Sequence, residues 1–401
     1  MEPLKPADTV VPVEPPEPEA LARLATSSNA FAVELWGRIR ETAGNLAVSP
    51  ASLTLALTMA WGGARGETAA EMKQVLHFEG SAEDVMGSAG RLLQAWNTSA
   101  GPALLRLASR LFGAKDFAFE PPYLERTRTA FGAPLEPVDF RADIEATRRL
   151  INDWAAHRTE GRIPELLPPG SLVPEVTRLV LVNAIYFKAA WAQPFSEELT
   201  QREPFFVAPQ APRDVPLMHR TGDYRFAQVD GVKVLELPYE GGELSMLFVL
   251  PDAVDGLEAI ERKLTSAQVA DWIDALSRER VHVVLPRFEV NPGGSLELGR
   301  VLGEMGMARA FDPDRADFTG MANPKNPAER LHISKVFHKA FVKLDEKGTE
   351  AAAATAVVMI SRTAMRPGKP KDFRADHPFL FFLRDIRSGM LLFMGRVADP
   401  A

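Results

Sequence analysis

An α+β fold is the class predicted for this 401-residue chain, and three observations predict it. Segments with helical spacing of apolar residues and segments of nearly unbroken apolar character are interspersed along the sequence. Hydrophobic residues make up 46% of the chain, enough for a substantial core. No internal repeat is visible that would point to a solenoid.

The elements follow in order. Residues 1 to about 20 carry Pro3, Pro6, Pro12, Pro15, Pro16 and Pro18 among acidic residues and read as a disordered or extended leader. This leader has neither the basic start nor the apolar stretch of a signal peptide. Phe31, Leu35 and Ile39 lie at helical spacing, with Ser28 or Asn29 able to cap the start. Pro50 to about Ala60 reads as a second, largely buried helix, and Ile144 to about His157 as another, with Leu150, Ile151 and Trp154 along one side. Arg178 to Phe187 is almost entirely apolar, as a strand covered on both faces is. Val281 to Leu285, His332 to Leu344, Phe379 to Leu383 and Met390 to Val397 complete the set of strands.

Between Glu346 and Arg362 the chain suits two conformations. As a helix, Ala351 to Ala354 is favourable because alanine costs least in a helix interior. As a strand, one face carries Thr349, Ala351, Ala353, Thr355, Val357 and Met359, uncharged and able to be buried. Gly348 supplies the backbone freedom of a hinge. Beyond it, Pro367, Gly368 and Pro370 mark an exposed loop of the kind proteases cut. Arg362, Arg366, Lys369, Lys371 and Arg374 offer basic residues to a trypsin-like specificity pocket. Arg366 and Lys369 each precede a proline, which makes poor bonds, and Lys371 and Arg374 lie near the next strand. Arg362–Thr363 is the most accessible good bond, with Met359–Ile360 and Met365–Arg366 open to an enzyme of different preference.

The hinge tract, followed by His377-Pro378-Phe379-Leu380-Phe381 and Phe393-Met394-Gly395-Arg396-Val397, resembles the end of a serpin. Asn45-Leu46-Ala47-Val48-Ser49-Pro50-Ala51-Ser52, then Gly62-Gly63-Ala64-Arg65-Gly66-Glu67-Thr68, resembles that family's second and third helices and their approach. Asn183-Ala184-Ile185-Tyr186-Phe187-Lys188, Trp191, Pro194-Phe195 and Phe337-His338-Lys339-Ala340 are similar to its central strands and gate. The matches run in family order from about residue 27 to the C-terminus.

The resemblance implies a serpin fold with three β-sheets and about nine helices, as a single domain over residues 21–401 with a mobile reactive loop at about 346–376. It implies a suicide-substrate inhibitor of trypsin-like serine proteases, with Arg362–Thr363 as the reactive bond and Glu346, Gly348, Thr349, Glu350, Ala351, Ala352, Ala353 and Ala354 as the hinge. Attack on the Arg362 carbonyl forms an acyl-enzyme and releases Thr363 as a new amine terminus. The freed tract then enters the main sheet as a new strand, releasing the strain of a metastable fold. At about 3.3 Å per residue, about twelve residues carry the protease roughly 40 Å. Its distorted oxyanion hole then cannot complete deacylation. Thr349 at the turn-in point is small and uncharged and no proline lies between Thr349 and Met359, which favours inhibition over the alternative of a non-inhibitory binding or chaperone-like serpin. Ser49, Pro50, Ser52, Asn183 and His338 resemble the polar shutter beneath the opening sheet; a satisfied core histidine with no switching role is the other reading of His338. Glu346 is expected to pair with Arg287 at the top of the sheet, with Trp191 packing nearby.

Other classes find little support. There is no Gly-x-Ser-x-Gly elbow, phosphate-binding loop or His-Glu-x-x-His, so the chain is not read as an enzyme. Zero cysteines exclude disulfides and thiol chemistry, and the scattered histidines suggest no metal or other cofactor. A net charge of -7 argues against nucleic-acid binding. Arg91 is the one basic residue between Ser81 and Ala100, so a glycosaminoglycan site there is not expected. No apolar stretch is long enough for a membrane span. The expected partner is a trypsin-like protease, bound covalently by a monomer. An extracellular or periplasmic location is favoured, with export signal absent from the chain, and the cytoplasm is the alternative.

Overall fold

A computed structural model of the chain describes residues 17–98, 103–132, 135–174, 176–291, 293–325, 330–350 and 369–401. Among these lie nine α-helices and two hydrogen-bonded β networks. The seven-stranded network runs in the order Phe288–Val290, Lys335–Leu344, Gly348–Thr349, Leu179–Ala190, Leu104–Ala114 and Glu136–Val138, with Leu296–Glu297 also on the Lys335–Leu344 strand. The nine-stranded network is threaded by Pro212–Val229 and Ser277–Pro286. These strands are long enough to join the two smaller of the three expected sheets into one ladder.

Strand Leu179–Ala190 shows why an unbroken apolar run was needed. Its residues Leu179, Leu181, Ile185, Phe187 and Ala189 join the main core, while Val180, Val182 and Ala184 join a second core with Ile151, Trp154 and Ala155 of helix Ile144–Arg158. Both faces are dry, and only the period-2 alternation decides which core a side chain enters. Helix Ile144–Arg158 is started by Asp143, whose side chain accepts from the Ala146 N–H at 2.8 Å. Helix Pro50–Gly63 is buried along its whole length on the opposite face, with Pro50 preset for its first turn and Ser49 capping it.

The first helix corrects the sequence expectation. It spans Pro18–Ile39, so Pro18, Glu19 and Ala20 belong to the fold and not to the leader, and neither Ser28 nor Asn29 caps it. Proline is suited to a first helical turn, where its missing N–H has no intrahelical partner anyway. The polar residues read as caps are tertiary ligands instead. Ser28 accepts from the Thr54 hydroxyl, and Asn29 donates to the Gly389 carbonyl while accepting from the Leu391 N–H.

Candidate functional site

The central strands Lys335–Leu344 and Leu179–Ala190 pair directly in parallel, from Lys335 with Val180 to Phe341 with Tyr186. Above that point they are separated by the two residues Gly348–Thr349. Thr349 lies between Leu344 and Ala189, and Gly348 pairs with Ala190. Gly348 is required here: its φ is +150°, and a Cβ would collide with the Ala189 carbonyl. Thr349 is fully buried, and its hydroxyl meets the Tyr239 hydroxyl at 2.6 Å.

The turn before this short strand is held from several sides. Glu346 accepts from Arg287 Nε at 2.7 Å and Nη2 at 2.6 Å, and from the Thr200 hydroxyl at 2.5 Å. Burial alone would raise the Glu346 pKa, but the Arg287 and Thr200 hydrogen bonds outweigh it and hold the carboxyl below its usual range. Trp191 stacks on Tyr239 with ring centroids 4.4 Å apart, and its indole N–H donates to the Asp345 carbonyl at 3.1 Å. The backbone N–H groups of Trp191 and Phe195 donate to Lys347 and Glu346.

Beneath the slot, on the face covered by helix Pro50–Gly63, lies a closed polar cluster. The Ser49 N–H donates to His338 Nε2 at 3.0 Å, so the imidazole proton resides on Nδ1 and is donated to Asn183 Oδ1 at 2.6 Å. Asn183 also accepts from the Ser52 hydroxyl at 2.7 Å, and its amide donates to the Ser52 carbonyl and the Ser109 hydroxyl at 2.9 and 2.8 Å. Ser49 Oγ donates to the Leu392 carbonyl at 2.6 Å. Complete burial pushes the His338 pKa down to about 3, against the smaller opposing effect of Asn183, so the ring is neutral.

A slot between parallel strands, entered by a glycine hinge above a neutral polar cluster, is matched by a family model described as Serpin (serine protease inhibitor) over residues 26–400. This chain belongs to the serpin family. The leukocyte elastase inhibitor of Sus scrofa is 40% identical over 390 residues, covering 95% of this serpin and 100% of the relative. Serpin B6 of Pongo abelii is 39% identical over 384 residues, with 94% and 99% covered. The crystal structure of Serpin48 from the insect Tenebrio molitor superposes with a TM-score of 0.83 at 30% identity, covering 94% of this serpin and 98% of that chain.

Of the serpin residues singled out from sequence, Glu346 and Arg287 are in contact beside Trp191, and Ser49, Ser52, Asn183 and His338 form one network behind Pro50. Gly348, Thr349 and Glu350 stand in or at the end of the hinge strand. Ala351, Ala352, Ala353, Ala354, Arg362 and Thr363 lie outside the described residues. The chain resumes in strand Lys371–Arg374, paired in parallel with Ser277–Pro286. Sequence reasoning missed Thr200, Tyr239 and Ser109. The signal available for the last was a serine on the otherwise apolar face of Leu105, Leu107 and Leu111 in strand Leu104–Ala114. Among the described residues no group of acidic or histidine side chains is arranged to hold a metal, and no helix is long and apolar enough to cross a membrane.

Proposed function

We propose that this serpin inhibits trypsin-like proteases as a suicide substrate, with Arg362–Thr363 as the cleaved bond and a monomer as the acting species. The observation that carries the reading is the hinge strand Gly348–Thr349, seated between Lys335–Leu344 and Leu179–Ala190 and hydrogen-bonded to both. Insertion has its first rung in place, so continuing it needs extension of an existing ladder and not its nucleation. Glu346 and Arg287 fix the stem of the loop, while Ser49, Ser52, Asn183 and His338 hold the two strands together below it. Cleavage frees the far side of the loop. The tract after Glu350 then parts these strands, carries the acylated protease with it, and leaves the ester trapped.

Incubation with trypsin and a denaturing gel tests the proposal. A covalent band near the summed masses is expected; a clipped product alone overturns it. Arg362→Ala should abolish the band for trypsin. Thr349→Arg should keep cleavage but turn the inhibitor into a substrate, because an arginine cannot replace the buried threonine against Tyr239. The relatives called leukocyte elastase inhibitors favour a second specificity, cleavage at Met359–Ile360 by an elastase-like enzyme. The mass of the released C-terminal peptide separates the two. For compartment we carry forward the cytoplasmic alternative, since these relatives lend no support to the extracellular or periplasmic reading.

A further inference from the structure

Glu350 is where the hinge strand stops. Its N–H still donates to the Lys343 carbonyl at 3.1 Å, one rung beyond Thr349. Its φ is then +48°, a left-handed conformation shared among the described non-glycine residues with only His77, Glu160 and Asp230. A glutamate is strained in that conformation, so something must hold it. The side chain is 3% exposed, and a carboxylate oxygen meets Arg162 Nη2 at 2.7 Å. The other oxygen, Oε2, is buried without a hydrogen-bond partner among the described residues. The carboxylate is thus buried against Arg162, with the Tyr186 phenol beside it.

Arg162 is built to make that contact. It leaves helix Ile144–Arg158 through Glu160 and Gly161, two successive left-handed residues, and Thr159 ties the turn by accepting from the Ile163 N–H at 3.1 Å. The Arg162 N–H itself donates to the Thr159 carbonyl at 2.9 Å. Its guanidinium carbon lies 5.7 Å from the centroid of the Phe341 ring, on the strand that borders the slot. The side chain is 49% exposed, so the pair can open toward water. Thr349 faces the main core with Tyr239, so strand alternation sends Glu350 to the other face of the sheet. That is the face of Phe341, Tyr186 and Arg162. Burial first, and the hydrogen bond to the Glu350 carboxylate second, hold the Tyr186 phenol above its usual range.

We infer that Arg162 is a positioning residue for loop insertion: it binds the Glu350 carboxylate on the outer face of the sheet and so keeps the hinge seated in the slot, facing as an inserted strand requires. The pair favours any state with Glu350 between Lys343 and Lys188 over one with the hinge withdrawn. Loss of Arg162 withdraws the hinge and slows its entry after cleavage, which diverts acyl-enzyme into hydrolysis. The inference rests on insertion as proposed above, but its first test does not.

Digestion of the uncleaved protein by a glutamate-specific endoproteinase reads the seat directly, at the Glu350–Ala351 bond. Arg162→Met, which keeps an apolar stem over Phe341, should be cut there about tenfold faster than the unaltered protein, the equivalent of one charge-assisted hydrogen bond. Arg162→Lys should return most of the protection, and near-ultraviolet circular dichroism should be the same for all three. With trypsin, Arg162→Met should give more clipped and less covalent product at an unchanged rate of loop cleavage. Equal digestion of Arg162→Met and the unaltered protein overturns the inference, as does more covalent product from Arg162→Met. If the unaltered protein forms no covalent band with any protease while the digestion result holds, the inhibitory reading fails and the seat stands.

Discussion

His338 gives the serpin an acid sensitivity that can be isolated by one substitution. In the unfolded chain a histidine titrates near 6.5, whereas burial holds His338 down to about 3 in the fold. Between these values the unfolded chain binds a proton that the folded protein refuses, so stability rises with pH through this window. The contribution is complete above about pH 6.5, is lost as pH falls, and levels off near pH 3 where both states are charged. Moving from pH 7.5 to 5.5 should therefore cost about 1.4 kcal/mol from this one ring. His338→Gln keeps a donor for Asn183 and an acceptor for the Ser49 N–H but cannot titrate. Urea unfolding of the uncleaved protein, followed by tryptophan fluorescence at both pH values and fixed ionic strength, gives the comparison. The unaltered protein should lose about 1.4 kcal/mol more than His338→Gln across the interval, with other titrating groups, such as the half-buried His332, common to both proteins. Equal losses, within about 0.3 kcal/mol, would refute the neutral, proton-refusing histidine described here.

Three further outcomes follow from the same geometry. Arg287→Ala leaves the Glu346 carboxylate buried with only Thr200, and thermal unfolding should report a loss of about 2–3 kcal/mol. Gly348→Ala places a methyl group against the Ala189 carbonyl, so hydrogen exchange at the Thr349 and Glu350 amides should lose its protection as the hinge leaves the ladder. Tyr239→Phe leaves the buried Thr349 hydroxyl unpaired and should lower stability by about 1–2 kcal/mol in urea titration; no change would mean that the hinge is not seated there in solution.

What could be read in the sequence was whatever local chemistry decided. Leu179–Ala190 announced itself because both its faces are dry, and helix Ile144–Arg158 because Leu150, Ile151 and Trp154 lie along one side. The first turns of the opening helix, Pro18 to Ser27, were hidden because Ser28 and Asn29 look like caps and serve Thr54, Gly389 and Leu391. Helix Ala82–Thr98 carries Gly90 in mid-course, a residue that weakens a helix judged alone. The fold explains it: a Cβ at Gly90 would strike the backbone of Ala130 in the crossing helix Pro121–Phe131. Strand Val232–Pro238 was obscured in the same way by Glu236, which is buried but satisfied by Arg225, Arg384 and Ser245 from neighbouring strands. In the candidate site the family motifs marked Glu346, Asn183 and His338, while Thr200, Tyr239 and Arg162 are defined only by contacts across more than a hundred residues of chain.

The two-residue hinge strand also carries a length scale. Its flanking strands are parallel to each other, so every residue added to it advances one position down both neighbours at once. If the strand lengthened as proposed, counting from 349 to 355 would run from 344 to 338 on one side and from 189 to 183 on the other, and Thr355 would come level with both His338 and Asn183. At about 3.3 Å per residue that is roughly 20 Å below the mouth of the seam. Those two residues face each other across the seam, joined through the imidazole proton. The seam thus has a lock set at a fixed depth, and the chain between mouth and lock is Glu350 followed by four alanines. Little bulk has to be accommodated on the way down. On the proposed insertion, resistance would be concentrated where a threonine hydroxyl has to stand in for the histidine and asparagine that it separates.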